Sequence, residues 1–158
     1  MAIGRQNGPS ALVFSRQALM PVDRSVSQVK AIENGGYILR DSVGTPSLII
    51  MATGSEVSLA LAAANVLGNS VRVVSMPSTS LFDQQPDSYR EKVLPSSVEN
   101  RIAVEAAHED FWRKYVGLKG KVLGMKSFGE SAPGNILLAH FGFTLDTLVG
   151  MAEELLNK

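Results

Sequence analysis

Arg16 is the residue whose type and position most suggest ligand chemistry. It follows residues 11–15, a short apolar run with the composition of a strand. Side chains just past strand ends line the ligand crevice of α/β sheets. A planar guanidinium there suits a two-point contact with a phosphate. From position alone, an arginine at the surface or in a salt bridge is the more common outcome, so both interpretations stay open.

A second group of candidates combines carboxylates with a histidine. These are residue types used for general acid–base work, and the group comprises Glu105, His108, Glu109 and Asp110. The His-Glu-x-x-His pattern of zinc enzymes is absent, and no second histidine lies at helical spacing. An acidic first turn of a helix explains the group more simply, because the helix dipole favours negative charge there. His140 lies among apolar neighbours, and packing explains it better than catalysis.

Residues 53–56, Thr-Gly-Ser-Glu, have the outline of a phosphate-binding turn. They hold one glycine, whereas dinucleotide-binding turns use Gly-x-Gly-x-x-Gly, and no lysine follows as in a Walker loop. Glu56 would repel a phosphate at that helix start. We therefore expect a structural turn, with Ser55 capping the following helix by accepting a backbone N–H.

A strand–helix–strand unit positions these residues and organises the chain. Residues 48–52 form an unbroken apolar run, which is typical of a strand buried on both faces. Residues 57–67 carry apolar side chains at helical spacing, and Gly68 is a suitable helix terminator. Residues 71–75 supply the second strand. Such a unit is the seed of a parallel sheet.

The rest of the chain continues this alternation of strands and helices. We predict further strands at 11–15, 36–41, 101–106 and 121–125. Helices are predicted at 23–34, 86–94, 108–117, 135–141 and 145–156, the last capped by Thr144, whereas residues 76–83 have the composition of a loop. The fold class is therefore α/β: a three-layer αβα arrangement around a mostly parallel, mixed sheet of about five strands. Phe111, Trp112 and Tyr115 recur at helical spacing and are expected to bury against it.

Composition excludes several classes of function. With 158 residues, 45% hydrophobic and 19% charged, the chain has the size and balance of one soluble domain. A net charge of zero without a basic block argues against binding nucleic acid. The absence of cysteine excludes disulfides and thiolate metal sites. Apolar runs look too short to cross a bilayer, so we expect no membrane partner and a cytoplasmic location.

Several runs, taken together, resemble the C-terminal part of transketolase. They cover nearly the whole chain in the order and spacing of that family. The runs are Gly-Pro-Ser-Ala-Leu-Val-Phe-Ser-Arg-Gln at 8–17, Gly-Gly-Tyr-Ile-Leu at 35–39, Ala-Thr-Gly-Ser-Glu-Val at 52–57, Val-Val-Ser-Met-Pro-Ser at 73–78, Phe-Asp at 82–83, Tyr-Arg at 89–90 and Phe-Gly-Glu-Ser-Ala-Pro at 128–133.

The resemblance implies a division of the chain and a role for one residue. Transketolases are homodimers of three-domain subunits that use thiamine diphosphate to move a two-carbon ketol unit from a ketose phosphate to an aldose phosphate. Residues 1–20 match the tail of the middle domain and a linker, and residues 21–158 match the C-terminal domain. The family's Ser-Arg-Gln motif supplies an arginine that binds the substrate phosphate. In this sequence that arginine is Arg16.

What the chain lacks sets the functional expectation. The family's Gly-Asp-Gly motif, its activating glutamate and its active-site histidines are missing. We therefore expect no catalytic, cofactor-binding or metal-binding residue in this chain, and no activity from it alone. Thiamine diphosphate and a divalent metal, Mg or Ca, belong to the complete enzyme. Its expected partners are the remaining transketolase domains or subunits, a second copy in a homodimer, and sugar phosphates.

Three other functions stay open at this point. The chain could be a small-ligand-binding or regulatory α/β module, with a crevice formed near Gly54, residues 76–83 and residues 128–133. It could also be one subunit of a split transketolase, or a structural piece that mainly supplies dimer surface.

Overall fold

One five-stranded sheet flanked by helices organises the molecule. The computed structural model describes residues 3–157. Its strands are β1 (Tyr37–Arg40), β2 (Leu48–Ala52), β3 (Val71–Ser75), β4 (Arg101–His108) and β5 (Lys121–Met125). Its α-helices are α1 (Val26–Ala31), α2 (Val57–Leu67), α3 (Thr79–Asp83), α4 (Asp87–Val93), α5 (Arg113–Val116), α6 (Gly134–His140) and α7 (Leu145–Leu156). Three 3-10 turns occur at Ile32–Asn34, Gly54–Glu56 and Glu109–Trp112.

The sheet is mixed and mostly parallel, which confirms the predicted fold class. Its spatial order is β1-β3-β2-β4-β5. Strand β1 runs antiparallel to β3, and the other neighbouring pairs are parallel. Strand β2 lies at the centre, and all five of its residues are buried. This position explains its unbroken apolar sequence, because both of its faces are covered.

The two faces of the sheet carry separate cores. On one face, Ile50 packs with the alanine-rich side of α2 and with Leu148 of α7. On the other, Ile49 packs with the aromatic residues Phe82 and Trp112. The alternation follows from the two-residue period of a strand, which sends successive side chains to opposite faces.

Helix α1 is fastened to the edge strand β1 by one glutamine. Ser25 and Gln28 form a capping box: Ser25 Oγ accepts the Gln28 N–H at 3.2 Å, and the Ser25 N–H donates to Gln28 Oε1 at 3.0 Å. The Gln28 side-chain amide then donates to the carbonyls of Ile38 at 3.2 Å and Leu39 at 2.7 Å. The Gln28 side chain thus caps the first turn of α1 and also binds the backbone of β1.

The predicted strand at residues 11–15 is wrong for this structure. The segment has no regular secondary structure, and its side chains are exposed, with Val13 at 95% and Phe14 at 81%. A strand is stabilised by pairing with a neighbour, and no strand within residues 3–157 pairs with this segment.

Two further boundaries differ from the prediction. Residues 76–83 were predicted to be a loop, but they include α3, whose first turn is capped by Ser78 Oγ accepting the Leu81 N–H at 3.4 Å. The helix predicted at 108–117 starts later, because β4 continues to His108 and a 3-10 turn precedes α5. Both elements are too short for hydrophobic periodicity to define them.

The C-terminal apolar stretch Gly134–Leu156 is long and apolar enough to cross a membrane by length and composition. This corrects the expectation that every apolar run is too short. The stretch is divided into α6 and α7 by Gly142, at φ +82°, and by Thr144, which caps α7 as predicted. Helix α7 then buries Leu148, Ala152 and Leu155 in the core. It therefore has the contacts of a core helix.

Candidate functional site at the carboxyl edge of the sheet

Residues 15–17, which contain Arg16, lie beside the carboxyl edge of the parallel strands. A Cβ built on Gly54, just after β2, would lie 3.5 Å from Ser15 Oγ. One built on Gly134, the first residue of α6, would lie 3.6 Å from both Cγ and Nε2 of Gln17. The two neighbours of Arg16 therefore approach the domain, while Arg16 itself is exposed. Within residues 3–157 it has no hydrogen bond or ion pair.

The Thr-Gly-Ser-Glu turn is built around the buried carboxylate of Glu56. The expected Ser55 cap is absent, because a 3-10 turn carries the chain onward and Glu56 occupies the N-cap position of α2 without a side-chain cap. Ser55 Oγ instead donates to Glu56 Oε1 at 2.8 Å. Burial raises the pKa of Glu56, and the nearby carboxylate of Glu105 raises it further. The predicted Ser55 cap is therefore wrong, and the hydroxyl serves the Glu56 carboxylate instead.

The acidic residues around His108 contact separate partners and do not converge on one site. Glu105 Oε2 accepts the indole N–H of Trp112 at 2.6 Å. Glu109 pairs with Arg113 at 2.9 Å. His108 is 67% exposed, and its Nδ1 accepts the Asp110 N–H at 3.4 Å. Glu109 and Asp110 thus lie in the first turn of a 3-10 helix, as the simpler interpretation predicts, whereas Glu105 and His108 belong to β4.

His140 and the aromatic residues refine the packing predictions. His140 packs edge-on against Phe141, with ring centroids 4.9 Å apart, but it is more than half exposed and lies 3.9 Å from a Glu130 oxygen. Trp112 and Tyr115 are buried as predicted. Phe111 is not, because about half of its surface remains exposed.

Two cavities at this edge replace the expected crevice. One, of about 200 Å³, is lined by Gln17, Glu130 and apolar residues of α6. The other, of about 550 Å³, lies between the ends of β4 and β5 and includes His108 and Lys126. Neither is lined by Gly54 or by residues 76–83. The three segments expected to form one crevice therefore do not share either cavity.

A cleft of about 800 Å³ was not predicted and contains Asp83, Arg101, Lys114 and Tyr115. Asp83 accepts hydrogen bonds from Lys114 Nζ at 2.6 Å and from Tyr115 Oη at 2.9 Å. These contacts raise the pKa of Lys114, while burial raises the pKa of Tyr115. Arg101 donates to four backbone carbonyls, those of Val98, Tyr115, Leu94 and Pro95. Asp83, Arg101 and Lys114 are thus engaged in holding α3, α5 and the start of β4 together.

The residues do not fit a metal–diphosphate site. Between residues 3 and 157, no group of three or more histidine, cysteine, aspartate or glutamate side chains could hold a metal ion. The buried carboxylate at the Gly54 turn would also oppose a diphosphate. The geometry therefore defines a three-layer α/β domain with an exposed arginine beside its carboxyl edge, which has no partner in the described part of the chain.

The comparisons with known proteins agree on one family. The family model described as "Transketolase-like TK C-terminal domain" matches residues 35–144. Transketolase 2 of Aliivibrio fischeri is 57% identical over 159 residues, and Transketolase 2 of Escherichia coli is 53% identical over 160 residues. Each match covers 99% of this chain and 24% of the relative. The chain thus spans about a quarter of the length of these curated relatives.

Solved structures show the same fold. A Leishmania mexicana transketolase superimposes with a TM-score of 0.75 and 43% identity over 82% of this chain and 19% of its own. A Pichia stipitis transketolase mutant, H261F, superimposes with a TM-score of 0.79 and 33% identity, over 90% of this chain and 20% of its own. A structure described as "Split gene transketolase, inactive beta4 tetramer" shares the fold. Its TM-score is 0.64 and its identity 21%, over 90% of this chain and 48% of its own.

The chain belongs to the family of transketolase-like C-terminal domains. The resemblance found in the sequence motifs is therefore confirmed.

Proposed function

We propose that this chain serves as the C-terminal part of an enzyme that transfers a two-carbon ketol unit between sugar phosphates. The observation that carries the proposal is 57% identity to a curated transketolase over 99% of the chain. In this proposal residues 1–20 are the tail of a middle domain with its linker, and residues 21–158 are the C-terminal domain. The enzyme is cytoplasmic, and neither a membrane nor nucleic acid is a partner.

Within that enzyme, Arg16 binds the phosphate of the substrate. Its exposure and its lack of a partner within residues 3–157 support this role, because an unpaired guanidinium is available for a two-point contact with an anion. Its place beside the carboxyl edge of a parallel sheet also suits ligand binding.

The chain supplies no cofactor site of its own in this proposal. Thiamine diphosphate, which provides the reactive carbanion, and its divalent metal, Mg or Ca, are held by the remaining domains or subunits. The sheet domain contributes a folded support and the phosphate contact. It is not catalytic alone.

Reconstitution tests the proposal directly. The purified chain is mixed with separately produced N-terminal and middle domains of a close relative, together with thiamine diphosphate and Mg²⁺. We expect two-carbon transfer from a ketose phosphate only in the mixture. Activity of the chain alone would contradict the proposal, as would an inactive mixture in which light scattering shows a stable complex.

The phosphate contact is tested by Arg16→Ala in the reconstituted enzyme. A charged hydrogen-bond pair contributes about 1.5–3 kcal/mol, so KM for phosphorylated donors should rise roughly 10–100-fold. KM for unphosphorylated donors should hardly change. Arg5→Ala, a substitution of another exposed arginine in the N-terminal segment, is the matched control. An equal effect of Arg16→Ala on both donor classes would contradict the phosphate role.

The assembly is a homodimer of complete units, whether the parts lie on one chain or on several. Light scattering on the chain alone, and then with its missing parts, distinguishes a dimer surface on this chain from one supplied by the others.

A further inference from the structure

The two side chains that flank Arg16 are exposed, but each approaches the sheet domain at a glycine. Ser15 Oγ lies 3.5 Å from where a Cβ of Gly54 would be, and Gln17 lies 3.6 Å from where a Cβ of Gly134 would be. These two glycines are far apart in sequence and begin different elements, one after β2 and the other at α6. The segment around Arg16 therefore rests on two separate points of the domain.

Gln17 makes the more extensive of these approaches. It lines the cavity of about 200 Å³ together with Gly129, Glu130 and Gly134. The apolar floor of that cavity comes from Leu137, Leu138, Phe141 and Phe143. Both the methylene carbon Cγ and the amide nitrogen Nε2 of Gln17 approach Gly134, at 3.6 Å from where its Cβ would be.

The contrast with the preceding residues is informative. Val13 and Phe14 are almost fully exposed, and they have no place on the domain. Within the N-terminal segment, the anchoring approaches fall on either side of Arg16. Anchoring the neighbours of a phosphate ligand restricts its backbone before the substrate arrives, and less conformational entropy is then lost on binding.

We infer that Gln17 is a positioning residue, which docks on Gly134 and the α6 cavity so that this domain orients Arg16 toward the substrate phosphate. Ser15 over Gly54 is the second support. The inference rests on the proposed function for the role of Arg16, but the docking itself can be tested without activity. It gives the C-terminal domain a specific part in phosphate recognition.

Docking is measured by NMR on the full chain. We expect nuclear Overhauser contacts between the Gln17 side chain and the Gly134 α-protons, and backbone order parameters above about 0.8 at residues 15–17. Gln17→Ala should lower those order parameters below about 0.6, and Gln6→Ala, which substitutes a glutamine earlier in the same segment, should not. The inference would be overturned if the Gln17–Gly134 contacts were absent, or if Gln17→Ala left the order parameters of residues 15–17 unchanged. Either result would count whether or not the proposed function is correct.

The consequence for recognition is measured in the reconstituted enzyme. Gln17→Ala should raise KM for phosphorylated donors about 3–10-fold, with kcat and the KM for unphosphorylated donors unchanged. Gln17→Met, which keeps the length and packing of the side chain, should restore most of the loss. Equal effects on both donor classes would mean a merely structural role and would overturn the inference.

The two failures can be distinguished. If docking holds but Arg16→Ala leaves donor discrimination intact, the phosphate role of Arg16 in the proposed function fails and the positioning role fails with it. If Arg16→Ala changes discrimination but Gln17→Ala does not, only the positioning role fails.

Discussion

The N-terminal segment, residues 3–20, and the central strand β2 contain similar residues but have opposite fates. Phe14 is 81% exposed, whereas Ile50 is completely buried. Both lie in short apolar runs with the composition of a strand. The difference is that β2 has a neighbour on each side and helices on each face, while no strand among residues 3–157 pairs with the segment. A run with strand-like composition forms a strand only where a neighbouring strand can pair with it. This domain provides no such neighbour for residues 11–15 among its described strands.

This contrast bears on how the proposed work is divided. The apolar side chains of residues 11–14 face outward, as suits a surface covered by another part of a longer enzyme. Ser15 and Gln17, although exposed, instead approach the domain at Gly54 and Gly134. The boundary between the two behaviours falls between Phe14 and Ser15, so the domain reaches both neighbours of the proposed phosphate ligand.

The largest expected effect comes from the buried side of the comparison. Ile50→Ala removes most of a completely buried side chain and leaves a cavity, so it should lower the free energy of unfolding by about 4 kcal/mol. Leu12→Ala, in the exposed segment, should change it by less than about 0.5 kcal/mol. Urea denaturation of both variants makes the measurement. Similar losses would mean that the segment is packed in solution and would break the comparison.

The next largest loss of stability is expected at Gly35, which lies against backbone atoms of another segment. Gly35 adopts φ +81°, and a Cβ there would lie 2.3 Å from the Ser78 carbonyl oxygen and 2.5 Å from the Phe82 nitrogen. Because backbone atoms cannot move aside easily, Gly35→Ala should cost roughly 2–3 kcal/mol of stability.

Gly44→Ala is the matched control, since Gly44 also has positive φ, at +73°, but has open space around it. Gly44→Ala should lower the free energy of unfolding by about 1 kcal/mol, because only the unfavourable backbone conformation contributes. Thermal unfolding separates the two contributions. Equal losses would show that the contact between the Gly35 turn and α3 is loose in solution.

The smallest expected change in stability concerns Glu56, at the carboxyl edge of the sheet near the N-terminal segment. Since the pKa of Glu56 is raised in the folded state, that state holds the proton more tightly than the unfolded chain does. The free energy of unfolding should therefore fall as pH rises from the ordinary glutamate range through the raised native pKa.

Glu56→Gln should remove this decline and increase stability near neutral pH, by less than about 1 kcal/mol, while keeping an oxygen that accepts from Ser55. Glu153→Gln, on the exposed side of α7, is the control. Urea midpoints at pH 4.5 and pH 7.5 measure the difference from the parent chain. A loss of stability at neutral pH would show that the charged form is favoured.

The sequence predicts elements that depend on local pattern and fails where contacts are tertiary. The β2–α2–β3 unit was predictable because an unbroken apolar run and a helical period occur within 28 residues of each other. The Ser55 cap was wrong because the turn continued for another residue and the hydroxyl bonded to Glu56. Five-residue α3 is too short to show a period, although Ser78 before it was a capping signal.

The candidate site shows the same limit. Asp83 meets Lys114 and Tyr115 across about thirty residues of sequence, and local spacing carries no trace of that contact. The approach of Gln17 to Gly134 spans more than a hundred residues. Arg16 could be proposed from its motif, but the residues that support its neighbours could not.

Gln28 has a consequence beyond holding α1 in place. Strand β1 has a single neighbour, and such an edge invites strands of other molecules to add on and extend the sheet. By occupying the carbonyls of Ile38 and Leu39, the Gln28 amide leaves fewer free acceptors for an incoming strand. The domain thus carries its own protection against aggregation at this edge.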